Sequence, residues 1–409
     1  MGSSREPLPL DRWRALPKVE LHVHLDGAFD PAILWEAVSA DTVELPVNVP
    51  TPWDLGEHIV IRERVRQCAS SQDYHALVSC RGRQSLHNML RCFETFLPSV
   101  RGRMDLVERL AFAFCARQAR SNVIYSEVRY SPHLLDVHGA MSGSDPAGTG
   151  PDGEALQIDP AAVIEAVTRG LRAGCAAHPG IVVNQILCCI SFRPEWAEST
   201  VEHAHRRRVD VPCAVVGVDI AAGEDALDPA TNPESFRLHS QAFARARSLG
   251  LNITLHAGEE GVSKNVQTAL DVFGASRIGH GYAAARDTAQ LEACISAGVH
   301  FEVCPTSSYA TSGWLNGGSG NGNGPDWSTH PLRTFVERGL SVSISTDDPS
   351  VFDTTLEEEY ALSEARVGLS AAQLVECTMC AARAAFVGED ERAALCETIA
   401  QAARRLQLI

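Results

Sequence analysis

Eight short runs rich in β-branched and apolar residues punctuate the chain, and each is followed by a stretch long enough to hold a helix. They are VELHVHL (19–25), VIYSEVRY (123–130), IVVNQILCC (181–189), CAVVGVDI (213–220), NITLHAG (252–258), SRIGHGY (276–282), HFEVCP (300–305) and SVSIST (341–346). Strands that alternate with helices imply parallel pairing, because parallel neighbours need a crossover and antiparallel ones only a tight turn. Eight such units predict an α/β fold closed into a (β/α)8 TIM-type barrel. An open doubly wound sheet is the runner-up, but no G-x-G-x-x-G turn follows any of the runs.

The first connection, from about 27 to 122, is far longer than one crossover needs and is expected to be a helical insertion. Asp30-Pro31 reads as an N-cap followed by proline in the first turn. Leu86, Met89, Leu90, Phe93 and Leu97 then recur at helical spacing. A stripe of this kind usually packs on the barrel wall, and the residues alone favour that reading. The sharper reading is an apolar lid, because the connection leaves the face where barrel active sites lie.

Segments 138–155 and 316–328, rich in Gly, Ser, Asn and Pro, are expected to be flexible surface loops. Neither divides the chain, since motifs on both sides need each other, so 1–409 reads as one domain. With 45% hydrophobic residues the chain can fill a large core. Its 35 Lys and Arg against 51 Asp and Glu, a net charge of −16, argue against nucleic acid or an anionic membrane as partner.

No run of 18 apolar residues exists to span a bilayer, and MGSSREPLPLDRWRALPK lacks the apolar stretch of a secretory signal. Thirteen cysteines, an odd count with several inside apolar runs such as Cys188-Cys189, read as reduced, buried thiols of a cytoplasmic protein. The C-x-x-C pair Cys377 and Cys380 falls in a helical stretch without a histidine motif and is taken as structural.

Polar clusters sit at the ends of four of the strand runs. His22 and His24 are two apart on the first, so a strand points both imidazoles to one side. His256 and Glu259 follow the fifth run, His280 lies between glycines at the end of the sixth, and Asp347-Asp348 close the eighth. A single cluster could be a capped loop or a backbone-bonded histidine. Four at the same ends of barrel strands point to one site, because that is where barrel enzymes work.

A hydrolytic metal site needs three or four N/O ligands, an open position for water, a base and an acid. His22, His24, His256 and Asp347 can supply the ligands. His280 and Asp348 remain to orient the water and take its proton. Glu259 remains as an acid, which must keep its proton at working pH.

The strings PKVELHVHLDG (17–27), HAGE (256–259), RIGHGY (277–282) and STDDP (345–349) resemble the adenosine deaminase family of amidohydrolase barrels. VRYSPHLL (128–135), ILCC (186–189), FEVCPTSSY (301–309) and DDPSVF (347–352) extend the likeness to the animal-type enzymes, in order from about 13 to 390. The resemblance implies one Zn2+ per chain on His22, His24, His256 and Asp347, and a purine nucleoside as substrate. Glu259 would protonate purine N1, while His280 and Asp348 would steer water to C6. Asp26 would accept a hydrogen bond from the ribose 5′-hydroxyl, His24 and Asp348 would also bind the substrate, and Leu86, Met89, Leu90 and Phe93 would form an apolar gate over the purine.

One motif departs from the family pattern. The family's D-L-A-G after the fourth strand, whose glycine amide faces purine N3, is here Asp219-Ile-Ala-Ala-Gly223-Glu224. Either Ala222 or Gly223 takes that place, and alanine serves if its φ is negative.

Two substrate alternatives and two functional ones remain beside adenosine. Adenine deaminases of the family usually carry glutamate where this chain has Asp26. AMP deaminases need a basic phosphate pocket, which Asp26 opposes. A binding protein without activity is disfavoured because every ligand and proton-transfer residue is present. A two-metal ester or amide hydrolase is disfavoured because neither the third nor the fourth run ends in a bridging lysine.

Overall fold

The computed structural model describes residues 7–40, 49–50, 58–59, 61–80, 82–83, 85–136, 159–314 and 325–409. Eight strands form one sheet: β1 Lys18–His24, β2 Val123–Tyr130, β3 Val182–Ile190, β4 Val215–Ala221, β5 Asn252–Ala257, β6 Arg277–His280, β7 His300–Val303 and β8 Ser341–Ile344. Each pairs in parallel with the next in sequence. The ring closes where the end of β1 meets the chain leaving β8. There the His24 amide donates to the Asp347 carbonyl at 2.8 Å, and the Asp347 amide donates to the His22 carbonyl at 3.1 Å. The seam of the barrel is therefore also where three of the predicted ligand positions, His22, His24 and Asp347, meet.

The strands differ from the sequence runs mainly at their ends. β6 and the chain after β8 turn away at His280 and Asp347, which have φ of +65° and +64°. Non-glycine residues rarely adopt this left-handed region, and such strain is held only where the surroundings over-determine it. β4 begins two residues later than its apolar run because Cys213 sits at φ +67° in the preceding turn.

The barrel interior is charged beneath the site. Arg129 donates to Asp219 at 2.7 Å and to Glu302 at 2.6 Å. Arg277 donates to Glu127 at 2.6 Å and forms an ion pair with Glu302 at 2.7 Å. All five side chains are buried, and in such a low-dielectric space each charge persists only because it has partners.

The first connection is helical as expected, with Pro31–Ser39, Ile61–Gln67, Ser71–Val78, Leu86–Val100 and Met104–Arg120. Asp30 caps the first of these through the Ala32 amide at 2.8 Å. An unforeseen short antiparallel pair joins Val49–Pro50 to His58–Ile59.

The expected loop at 138–155 lies outside the described residues, as do residues 316–324 of the other. The end of that second loop is corrected. Trp327 begins a 3-10 turn and stacks on His330 at 5.8 Å and 15° and on Tyr309 at 5.4 Å, because an indole has packing to gain there. Among the described residues no helix is long and apolar enough to cross a membrane.

Candidate active site

The pleat of β1 turns His22 and His24 to the same side, where β5 delivers His256 and the turn after β8 delivers Asp347. One ligand atom from each lies within 4.8 Å of all the others. Asp347 Oδ1 is 3.3 Å from His22 Nε2 and 3.4 Å from His24 Nε2, and the Nε2 atoms of His24 and His256 are 3.3 Å apart.

Polar atoms converge this closely at a cost unless a cation sits among them. His22 Nε2, buried and without a hydrogen-bond partner, makes the same point. Three imidazoles and one carboxylate are a donor set that suits zinc. The residues fit the ion.

Second partners set the tautomers. His22 Nδ1 lies 2.9 Å from Glu302, and His256 Nδ1 lies 2.9 Å from Asp219. The Glu302 carboxylate holds the proton on His22 Nδ1 and leaves its Nε2 lone pair facing the centre, and Asp219 stands behind His256 in the same sense. Ser307 donates to Asp347 Oδ2 at 2.7 Å, orienting the carboxylate. Burial holds His24 and His280 well below the usual imidazole pKa, so both rings are neutral.

Three of the four, His24, His256 and Asp347, line the floor of a cavity. Glu259, His280 and Asp348 share that floor, while Asp26, Cys188, Ala222 and Gly223 line the sides. Leu86, Met89, Leu90, Phe93 and Leu97 line it from the Leu86–Val100 helix. The stripe that the residues alone favoured as barrel packing therefore borders this cavity, in the position of a roof. Periodicity reveals that a helix has an apolar face but not what the face covers.

Burial, with the charges of Asp347, Glu224 and Glu260, raises the Glu259 carboxyl well above the usual carboxylate range. Its Oε2 lies 3.6 Å from His280 Nε2. Asp348 is raised well above that range too, by burial and by Asp347, Asp26 and Glu259. Burial pushes the adjacent Asp347 upward as well, but the facing histidines outweigh it and hold the group well below the range. Carboxyl groups pushed apart in this way divide into a ligand and proton carriers. Asp26, buried with Oδ1 unpartnered, is raised to about 6, chiefly by burial.

Both candidates after β4 border the cavity, and the condition placed on alanine is not met. Ala222 has φ +66° and Gly223 +105°. The turn is pinned from beyond: Glu224 accepts from the amides of Gly258 at 2.8 Å, Glu259 at 2.7 Å and Gly261 at 3.2 Å, and from the Asn265 side chain at 2.7 Å.

Glu224, Asp219, Glu302, Arg129 and Ser307 were not foreseen as part of the site. A usable signal existed for three of them. Arg129, Asp219 and Glu302 are charged residues inside strand runs, and a strand covered on both faces tolerates a charge only as part of a network.

The chain matches the family model described as "Adenosine deaminase" over residues 17–402. It is 33% identical over 377 residues to the adenosine deaminase of Xenopus tropicalis, covering 92% of each protein. Among solved structures, the adenine deaminase of Arthrobacter aurescens superposes with a TM-score of 0.71 at 17% identity, covering 95% of this chain and 99% of that one. An amidohydrolase from Burkholderia ambifaria with bound Zn gives 0.69 at 22% identity, covering 100% of this chain and 96% of the other.

Proposed function

The chain belongs to the adenosine deaminase family, and from that premise we propose that it hydrolyses the 6-amino group of adenosine, and of 2′-deoxyadenosine, to give inosine or deoxyinosine and ammonia. One observation carries the reading. Four potential ligand atoms lie within 4.8 Å of one another, and three of their residues line one cavity with an acid whose proton is held by its surroundings.

His22, His24, His256 and Asp347 would hold one zinc ion, which when bound brings the pKa of a coordinated water toward about 7. Glu259 donates its proton to purine N1, drawing electrons from C6. Asp348 and His280 orient the attacking water, take one of its protons and pass it to the departing amine as the C6–N6 bond breaks. The proton left on the new C6 hydroxyl returns to the Glu259 carboxylate as the carbonyl forms. His24 and Asp26 meet the ribose, with the free Asp26 Oδ1 accepting from the 5′-hydroxyl. A backbone amide at Ala222 or Gly223 meets purine N3. Leu86, Met89, Leu90 and Phe93 cover the base and exclude water, which strengthens every polar contact beneath them.

Asp26 also supports nucleoside over nucleotide. A carboxylate at that wall attracts a hydroxyl donor and repels a phosphate, and among the described residues the cavity lining holds no Lys or Arg to attract one. Thirteen free thiols support a reducing compartment, the cytoplasm.

The test is a steady-state comparison of adenosine, 2′-deoxyadenosine, AMP and adenine with zinc-loaded enzyme. Adenosine should show the highest kcat/KM. Faster turnover of AMP or adenine would overturn the substrate assignment, and no turnover of any would make the chain a binding protein.

A further inference from the structure

Outside the catalytic cavity lies a wider hollow, and the two share four residues: Leu86, Leu90, Ala222 and Gly223. A ligand passing from the hollow to the floor must go between the Leu86–Leu90 turn and the 222–223 turn. The two sides of this door are held differently.

The 222–223 side is fixed. Glu224, next in sequence, accepts from the backbone amides of the loop after β5, including that of Glu259 itself. Among the described residues, the helix side is hydrogen-bonded to that same loop through the Leu86 amide, which donates to Oε1 of Glu260. Ser85 caps the Asn88 amide of its own helix at 3.2 Å. A carboxylate at the first turn also suits the positive end of the helix dipole. Glu260 faces the hollow and is exposed on its outer side, so water can replace the bond at small cost. Such a bond can be broken and remade in each turnover.

We propose that Glu260 is a positioning residue, a latch whose carboxylate holds Leu86, the door of the cavity, against the loop that carries Glu259. The proposal rests on the reading of Glu259 as the proton donor and of the Leu86–Val100 helix as the roof. Because Glu224 fixes the loop independently, releasing the latch loosens the door and leaves the acid in place.

The test uses zinc-loaded full-length enzyme with Glu260→Ala and Glu260→Gln, each assayed at its own pH optimum, because both substitutions also remove one of the charges that raise Glu259. Gln keeps the acceptor oxygen and Ala does not. Glu260→Ala should raise KM for adenosine roughly five-fold while kcat changes by less than about two-fold, the scale of one partly exposed hydrogen bond to a charged group. Amide hydrogen exchange over 86–97 should quicken in the same variant, and Glu260→Gln should restore both. An unchanged KM and exchange rate in Glu260→Ala, a kcat loss as large as the KM effect, or a Gln variant that behaves like Ala would each overturn the latch. Should the wild-type enzyme leave adenosine untouched, the functional reading fails. The exchange comparison of Ala with Gln would still decide whether Glu260 holds the helix.

Discussion

A Cβ on Gly27 would stand 1.8 Å from Oδ1 of Asp348 and 2.6 Å from its Cβ, so the Asp348 carboxyl occupies the space a side chain at Gly27 would need. Neither backbone can easily yield, since the Ser350 amide donates to the Gly27 carbonyl at 2.9 Å. Gly27→Ala must therefore push the Asp348 side chain aside. With Asp348 as a proton carrier, kcat should fall by at least about 100-fold, the usual scale for a misplaced general base. Zinc content should stay at one per chain, because no ligand touches Gly27. Near-normal kcat in this variant would mean that Asp348 does not handle the proton.

Glu259→Gln keeps the shape and removes the proton. Zinc should remain, while kcat falls about 10²- to 10⁴-fold. Burial and three neighbouring carboxylates hold the wild-type group protonated, so its kcat should decline as pH rises through that raised pKa. The variant should lack this alkaline decline. A pH–rate profile of both proteins is the measurement, and a Gln variant with ordinary turnover would remove Glu259 as the N1 donor.

Much of this arrangement could be read from the residues because the information was local. Strand alternation puts His22 and His24 on one side whatever surrounds them, and a barrel brings strand ends together, so His256, His280 and Asp347 had to approach. What could not be read depends on contacts far apart in sequence. Glu224 looks like an ordinary loop acid until the loop after β5 folds over it. Ala222 gives no hint of a left-handed conformation, because the tie at Glu224, not its own preference, imposes it. The apolar helix stripe was legible as a stripe, and only tertiary placement told roof from wall.

Glu302 joins the proposed zinc site to the charges below it, accepting from Arg129 at 2.6 Å and pairing with Arg277 at 2.7 Å while facing His22 Nδ1 at 2.9 Å. Glu302→Gln should weaken zinc affinity about 10- to 100-fold, the range for a lost carboxylate behind a ligand histidine. It should also destabilise the fold, since two buried guanidinium groups lose a charged partner. Competition with a chromogenic chelator reads the first effect and thermal melting the second. Asp347→Ala, by contrast, removes a ligand outright and should lower the metal content as purified. If Glu302→Gln held zinc as tightly as wild type, the carboxylate would not be orienting His22.

Glu359 gives a pH test that does not involve the metal. It is fully buried, accepting from the Thr306 amide at 2.9 Å and the Thr354 hydroxyl at 2.8 Å, and burial pushes its carboxyl up to about 7. In the unfolded chain the same group titrates near about 4.3. Between those values the folded protein binds the extra proton, so the stability from the neutral carboxyl is full below about 4.3 and is lost as pH rises through about 7. The whole effect is of order 3 kcal/mol. Glu359→Gln imitates the protonated form at every pH and should remove this slope. The two proteins, both zinc-loaded, should melt alike only near about pH 4, and the variant should become progressively the more stable one from there toward pH 8. Other groups titrating in the window are common to both, so the difference between the curves isolates this carboxyl. Parallel curves would mean that Glu359 ionises in the ordinary carboxylate range despite its burial.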